Sequence, residues 1–326
     1  MVMKRSTAER LVFVLFIVFL TSATAMQSAA QNTQKRPGPP QTIAENQLIS
    51  YDGPADGIRL AATFYPGYAD KETIPIILLH DWKGSRKDFE PLLKKLMPLG
   101  YAIMIPDLRG HGESTTRLVR DPRSGRIREL SFTTDDFNAS QFSKMISKDM
   151  SAIRRFLVAQ NNEGKLNLNR LILIGAGTGG NVAMEWSIVD WSNTNYSQAG
   201  MKNSRDTKAV VMLSPYLQAP GFNTSQSMIN PILTSKLPIE VLVGQGDETR
   251  LEACDKLVKA FRRNKSPNED DPMSERVWMI KVNTKKQGTD LLAYDPSKLD
   301  VPDVINQFIT EKVLKNSDDS EWMEHK

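Results

Sequence analysis

The sequence predicts one large α/β domain whose mostly parallel central sheet is covered by helices on both faces. Two observations carry this. Short, continuous apolar runs alternate with amphipathic helical patterns between residues 46 and 315. Strands that are apolar throughout are buried on both sides, as a parallel sheet between helices requires. Most of the central runs are also bounded by Gly, Pro or Asp, the residues that punctuate strand ends.

The chain opens with a segment that reads as an export signal. Lys4, Arg5 and Arg10 form a basic region, residues 11–20 (LVFVLFIVFL) an apolar core, and Ala23-Thr24-Ala25 a small-residue cleavage site. The apolar run is shorter than the ~20 residues that a membrane span needs. Residues 1–25 are therefore expected to be removed, leaving a periplasmic or secreted protein; the alternative is an N-terminal membrane anchor. Residues 26–45, rich in Gln, Ala and Pro, read as a flexible linker. Residues 316–326 read as an acidic, solvated tail, with Asp318, Asp319 and Glu321 as its charges.

Within the domain, strands are expected at 47–51, 59–65, 76–79, 102–105, 171–174, 209–213, 240–243 and 277–282. Helical patterns lie at 87–96, 145–159, 181–190, 250–263 and 302–314. Two connections, 115–143 and 215–237, are long, follow strand C-termini, and read as either functional loops or mobile insertions. No internal repeat is visible.

Composition excludes several functions. The net charge of +4 falls to +2 once the signal is removed, leaving 39 basic and 37 acidic residues. With no basic stripe interleaved with aromatics, nucleic acid is not expected as a partner, nor is a membrane after signal cleavage. Cys254 is the single cysteine, so no intramolecular disulfide can form; it lies in a helical pattern and reads as a packing residue. No Cys/His cluster has metal-ligand spacing, and neither a metal nor a cofactor is expected.

The chemistry turns on Gly177. Residues 171–183 run as an apolar strand, a turn of small residues (Gly175-Ala176-Gly177-Thr178-Gly179) and a helix start. That is the layout of a nucleophile elbow, G-x-S-x-G, with no side chain at its centre. Other turns accompany it in order. His80-Asp81-Trp82-Lys83-Gly84-Ser85 follows one strand and Pro106-Asp107-Leu108-Arg109-Gly110-His111-Gly112-Glu113-Ser114 the next. Ser214-Pro215 closes a later strand, followed by Val243-Gly244-Gln245-Gly246-Asp247 and Gln287-Gly288-Thr289-Asp290-Leu291-Leu292.

These motifs resemble those of the α/β-hydrolase family, and the resemblance covers nearly all of the chain beyond the linker. Secreted serine esterases and lysophospholipase- or dienelactone-hydrolase-like proteins are the nearest relatives it suggests. It implies a triad of serine, acid and histidine in chain order. Residue by residue those positions are Gly177, Asp247 and Gln287, so only the acid is retained. It also implies an oxyanion hole made of backbone N–H groups, one from Thr178 and one from the Asp81–Trp82 turn. Asp81 stands where the family has glycine and brings a carboxylate beside that hole.

No obvious substitute appears. His80 and His111 belong to turns of the fold, and His325 lies next to the C-terminus. Ser214 and His80 are candidates for lining the cleft. Thr178, Ser85 and Ser114 read as turn residues, and Asp247 suits the N-cap of the helix that follows it. A rival reading takes Gly175–Gly180 as G-x-G-x-x-G, a dinucleotide fingerprint. That motif wants an acid at the end of the next strand, where Ser214-Pro215 stands instead. The expected function is a binding or interaction module for a small molecule or protein in the old substrate cleft. The alternatives are an unconventional esterase and a dinucleotide-binding protein.

Overall fold

The computed structural model describes residues 39–43, 48–53, 56–192, 197–198, 201–218, 221–222, 224–264, 275–311 and 321–326. Residues 1–25, read as an export signal, most of the expected linker and residues 312–320 lie outside these. The central sheet is built from β1 (Gln41–Thr42), β2 (Ala62–Tyr65), β3 (Pro75–Leu79), β4 (Ala102–Pro106), β5 (Leu171–Ala176), β6 (Thr207–Leu213), β7 (Ile239–Gly244) and β8 (Val277–Val282). Its order is β1-β2-β4-β3-β5-β6-β7-β8. The pairs β1–β2 and β2–β4 are antiparallel and the pairs from β4 onward are parallel.

Every residue of β3, β4, β5 and β7 is buried. Their alternate side chains feed two apolar cores, one on each face. On one face, Leu79, Leu173 and Met212 pack with Ile153, Leu157 and Val182. On the other, Leu78, Ile174 and Leu242 pack with Leu92, Ile305 and Phe308. The helices that cover them are α1 (Glu90–Leu96), α2 (Met150–Asn162), α3 (Thr178–Ser192), α4 (Glu248–Phe261) and α5 (Val301–Ile309).

The structure departs from the sequence reading in four places. Gln41–Thr42, inside the expected linker, is the edge strand, because its backbone pairs with β2. The expected strand 59–65 is two strands that turn between sheets. Asp56–Arg59 pairs with Ile49–Gly53 and Thr116–Arg120, whereas Ala62–Tyr65 pairs with β4. The connection 115–143 carries the hairpin Thr116–Arg120/Ile127–Ser131, which completes a separate four-stranded sheet. It ends in a helix, Ala139–Lys144, that Asn138 caps. A wide turn at Met145–Asp149 follows, and Asp149 reaches inward to pair with the buried Arg109.

The tail is the fourth departure. Residues 321–326 are docked rather than solvated. Lys202 N–H donates to Glu324 O and Lys326 N–H to Lys202 O, each at 2.8 Å. His325 is 1% exposed, and its Nε2 lies 3.1 Å from Asp206 Oδ1. A neighbouring acidic tract does not prevent docking when the backbone finds a strand to bridge.

Candidate active site

The C-terminal edge of the sheet gathers the turns singled out by the sequence. β5 ends in Ala176, and Gly177 bends the chain into α3 at φ +46°, in the left-handed region that disfavours side chains. Gly177 N–H donates to Leu213 O at 2.8 Å, which ties the turn to β6. The flanking glycines are demanded by close packing. A Cβ on Gly175 would stand 2.2 Å from Gly179 O, and one on Gly179 would stand 2.1 Å from Leu79 O.

Asp81 decides the character of the site. Its Oδ1 accepts from Trp82 N–H at 2.6 Å and from Thr178 N–H at 2.8 Å. These are the two main-chain donors that the family resemblance assigns to the oxyanion hole. Thr178 is also the first residue of α3, so the carboxylate sits at a helix N-terminus, where negative charge is favoured. Tyr216 Oη lies 3.4 Å from Oδ2. A Cβ built on Gly177 would stand 2.1 Å from the Asp81 carboxylate. One side chain thus takes up both the space beside Gly177 and the two main-chain donors.

Gln287, at the histidine position, makes three hydrogen bonds. Its Oε1 accepts from Ser214 Oγ at 2.6 Å and from Gly244 N–H at 3.2 Å, while Nε2 donates to Gly244 O at 2.8 Å. The amide is therefore stitched to the end of β7. Ser214 sits at φ +51° but is 1% exposed, and the partner of its hydroxyl is an amide oxygen rather than a base. Asp247 caps α4, with Oδ1 accepting from Arg250 N–H at 3.0 Å.

The histidines serve the turns. His80 Nε2 accepts from Leu108 N–H at 2.9 Å, so Nδ1 carries the proton and donates to Asp81 O at 2.7 Å. Burial holds its pKa below the usual histidine value. His111 Nδ1 lies 2.8 Å from Arg109 O, and burial drives its pKa down to about 4. The expectation that His80 and Ser214 line the cleft is corrected: both are buried, His80 with its ring nitrogens held by backbone groups of the turns and Ser214 with its hydroxyl held by the Gln287 side chain. Cys254 is buried in α4, and burial pushes its thiol up to about 12. No group of three or more His, Cys, Asp or Glu among the described residues is placed to hold a metal ion.

One contributor escaped the sequence reading. Tyr216 reaches toward Asp81 with its hydroxyl, and the Arg250 guanidinium lies over its ring at 3.7 Å. Arg250 Nη1 in turn donates to Ser214 O at 3.1 Å. Both residues line a surface cleft of about 440 Å³ with Leu217, Gln218, Asp247 and Lys256. The signal was a Pro-Tyr pair just after a strand end; the stacked arginine comes from the first turn of α4 and could not be paired with it from sequence.

No protein-family model matches the chain, and no curated protein matches it. Solved structures do. A dienelactone hydrolase from Anabaena variabilis is 13% identical, with a TM-score of 0.51, 85% of this chain covered and 100% of that one. An esterase from Pyrococcus furiosus is 15% identical, with a TM-score of 0.53, 84% of this chain covered and 91% of the other. A thermostable carboxylesterase cloned from a metagenomic library is 12% identical, with a TM-score of 0.55 and coverage of 87% and 92%. Likeness at this level carries the architecture and not the chemistry, which resides in the site. Strand order, the turns at the sheet's C-terminal edge and these neighbours agree: the chain has the α/β-hydrolase fold.

Proposed function

We propose that this chain is an exported α/β-hydrolase-fold protein that works without triad catalysis and holds a small molecule or a protein segment in the cleft beside Tyr216 and Arg250. The carrying observation is the Asp81 carboxylate, bonded to Trp82 N–H and Thr178 N–H beside a glycine. In triad enzymes the loss of serine or histidine alone removes about 10⁶ in kcat. What then survives, about 10³ over water, comes from binding and oxyanion donors. Here those donors already hold an anion, so an ester carbonyl has no free pair to polarise. The same filled helix N-terminus argues against a dinucleotide, whose pyrophosphate would meet a carboxylate.

The rival, an unconventional esterase, draws on the names of the fold neighbours. At the sheet's C-terminal edge Ser214 has no base to activate it, since its hydroxyl donates to the Gln287 amide oxygen. The test is a fluorophosphonate probe and a panel of short-chain esters applied to the purified protein. No adduct and no turnover are expected, and Asp247→Asn should change nothing. A covalent serine adduct would overturn the proposal. Export is tested separately: N-terminal sequencing should find a start near Met26, and an intact Met1 on cytoplasmic protein would refute it.

A further inference from the structure

A four-stranded sheet lies outside the central one. Its order is Ile49–Gly53, Asp56–Arg59, Thr116–Arg120, Ile127–Ser131. Among the described residues the last strand pairs on one side only, and all five of its residues are exposed. Three large apolar side chains stand out to solvent here: Tyr51 at 59%, Ile127 at 59% and Leu130 at 50%. They are half of the six such residues among the described ones. A groove of about 110 Å³ runs over Gly57 between Ile49, Tyr51, Leu118 and Ile127.

The same hairpin is cationic. Residues 116–131 hold Arg117, Arg120, Arg123, Arg126 and Arg128 against Asp121 and Glu129, a net charge of +3. Arg120, Arg123 and Arg126 are exposed, and Arg128 keeps 70% of its side chain in solvent while touching Asp121. Apolar groups on an edge strand invite sheet-to-sheet association, and charge on the strand opposes it. Arg117 pairs with Asp56 and Arg128 with Asp121, and exposed apolar side chains beside Arg120, Arg123 and Arg126 match a surface that is both anionic and apolar just beneath.

We propose that this hairpin docks the protein on an anionic phospholipid surface. Guanidinium forks match phosphate oxygens in pairs. The outward N–H groups of strand Ile127–Ser131 can donate to the same phosphates. Ile127 and Leu130, three residues apart on a strand, point to opposite faces. A protein partner lying on one face would cover one of them, whereas a bilayer interface surrounds a hairpin edge and takes both. The strand stays at headgroup depth, because its unpaired backbone groups would be costly in hydrocarbon. This revises the expectation that the processed chain meets no membrane.

The test uses the chain from residue 26, which keeps every described element and both cores and removes the N-terminal apolar run. It should sediment with phosphatidylcholine vesicles doped with phosphatidylglycerol, less so at high salt, and not with pure phosphatidylcholine. Arginines near an anionic surface contribute about fivefold each in partitioning, so Arg123→Ser with Arg126→Ser should weaken it by about 25-fold. Ile127→Ser should weaken it as well, with the thermal melt unchanged in each variant. Equal binding to both vesicle types, no binding to either, or indifference to the arginine pair would overturn the proposal. So would indifference to Ile127→Ser, or equally tight binding of polyglutamate or an oligonucleotide, since each would mark plain charge attraction.

Discussion

Replacing Gly177 with serine supplies the side chain that the family resemblance expects there, and the fold should resist it. Two costs add. A non-glycine residue at φ +46° pays about 1–2 kcal/mol for left-handed backbone. The new Cβ, 2.1 Å from the Asp81 carboxylate, also forces that side chain to leave its two main-chain donors. Hydrogen bonds to a charged group contribute about 1.5–3 kcal/mol when enclosed. Asp81 is half-buried, so water replaces part of them, and about 1–2 kcal/mol in total is the sounder figure. Serine narrows the unfolded ensemble and returns about 0.4–1 kcal/mol. The net expectation is a loss of about 2 kcal/mol. In an Asp81→Ala background the collision is absent, and the same change should cost only about 1 kcal/mol. The assay is urea unfolding of wild type, both single variants and the double variant, read as a double-mutant cycle. A Gly177→Ser cost that is the same in both backgrounds would refute the coupling. A variant at least as stable as wild type would refute the geometry of the turn itself.

Two further outcomes concern groups away from the site. His325→Ala should cost about 1–3 kcal/mol, because it removes a buried side chain whose Nε2 is the near partner of Asp206 Oδ1; an unchanged urea midpoint would show that the docked tail adds no stability. Glu240, buried on β7, is pushed by desolvation from 4.5 to about 8. A carboxyl with a raised folded pKa binds its proton more tightly when folded, so its contribution is full below pH 4.5 and is lost as pH climbs toward 8. Glu240→Gln should flatten that decline, and melts that fall equally with pH in both proteins would place the titration elsewhere.

Much of the fold was open to reading before any coordinates. The runs at 76–79, 102–105, 171–174 and 277–282 are strands in the structure, with bounds within two residues of those expected. Burial on both faces demands an unbroken apolar run, and a tight turn at a sheet edge demands Gly, Asp or Pro, so both leave local signatures. The absence of side chain at Gly177 and of imidazole at Gln287 is likewise written in single letters. The expected strand 59–65 failed for the opposite reason. Its residues suit a strand throughout, and the switch between sheets at Leu60–Ala61 is set by which distant strand each half pairs with.

By itself, then, the sequence determined the strand–helix alternation, the order of the turns, and the glycine and glutamine at the positions where the family resemblance expects serine and histidine. Those properties depend on neighbours a few residues apart. Only the tertiary structure decided where Asp81 points. Its carboxylate meets Thr178 N–H across 97 positions of sequence, because β3 and β5 lie side by side and end at the same edge. The bond from Ser214 to Gln287, the arginine stacked on Tyr216 and the tail bridged to Lys202 are of the same kind. Each needs two segments brought together by sheet register, and register emerges from the packing of the whole core rather than from any window of the chain.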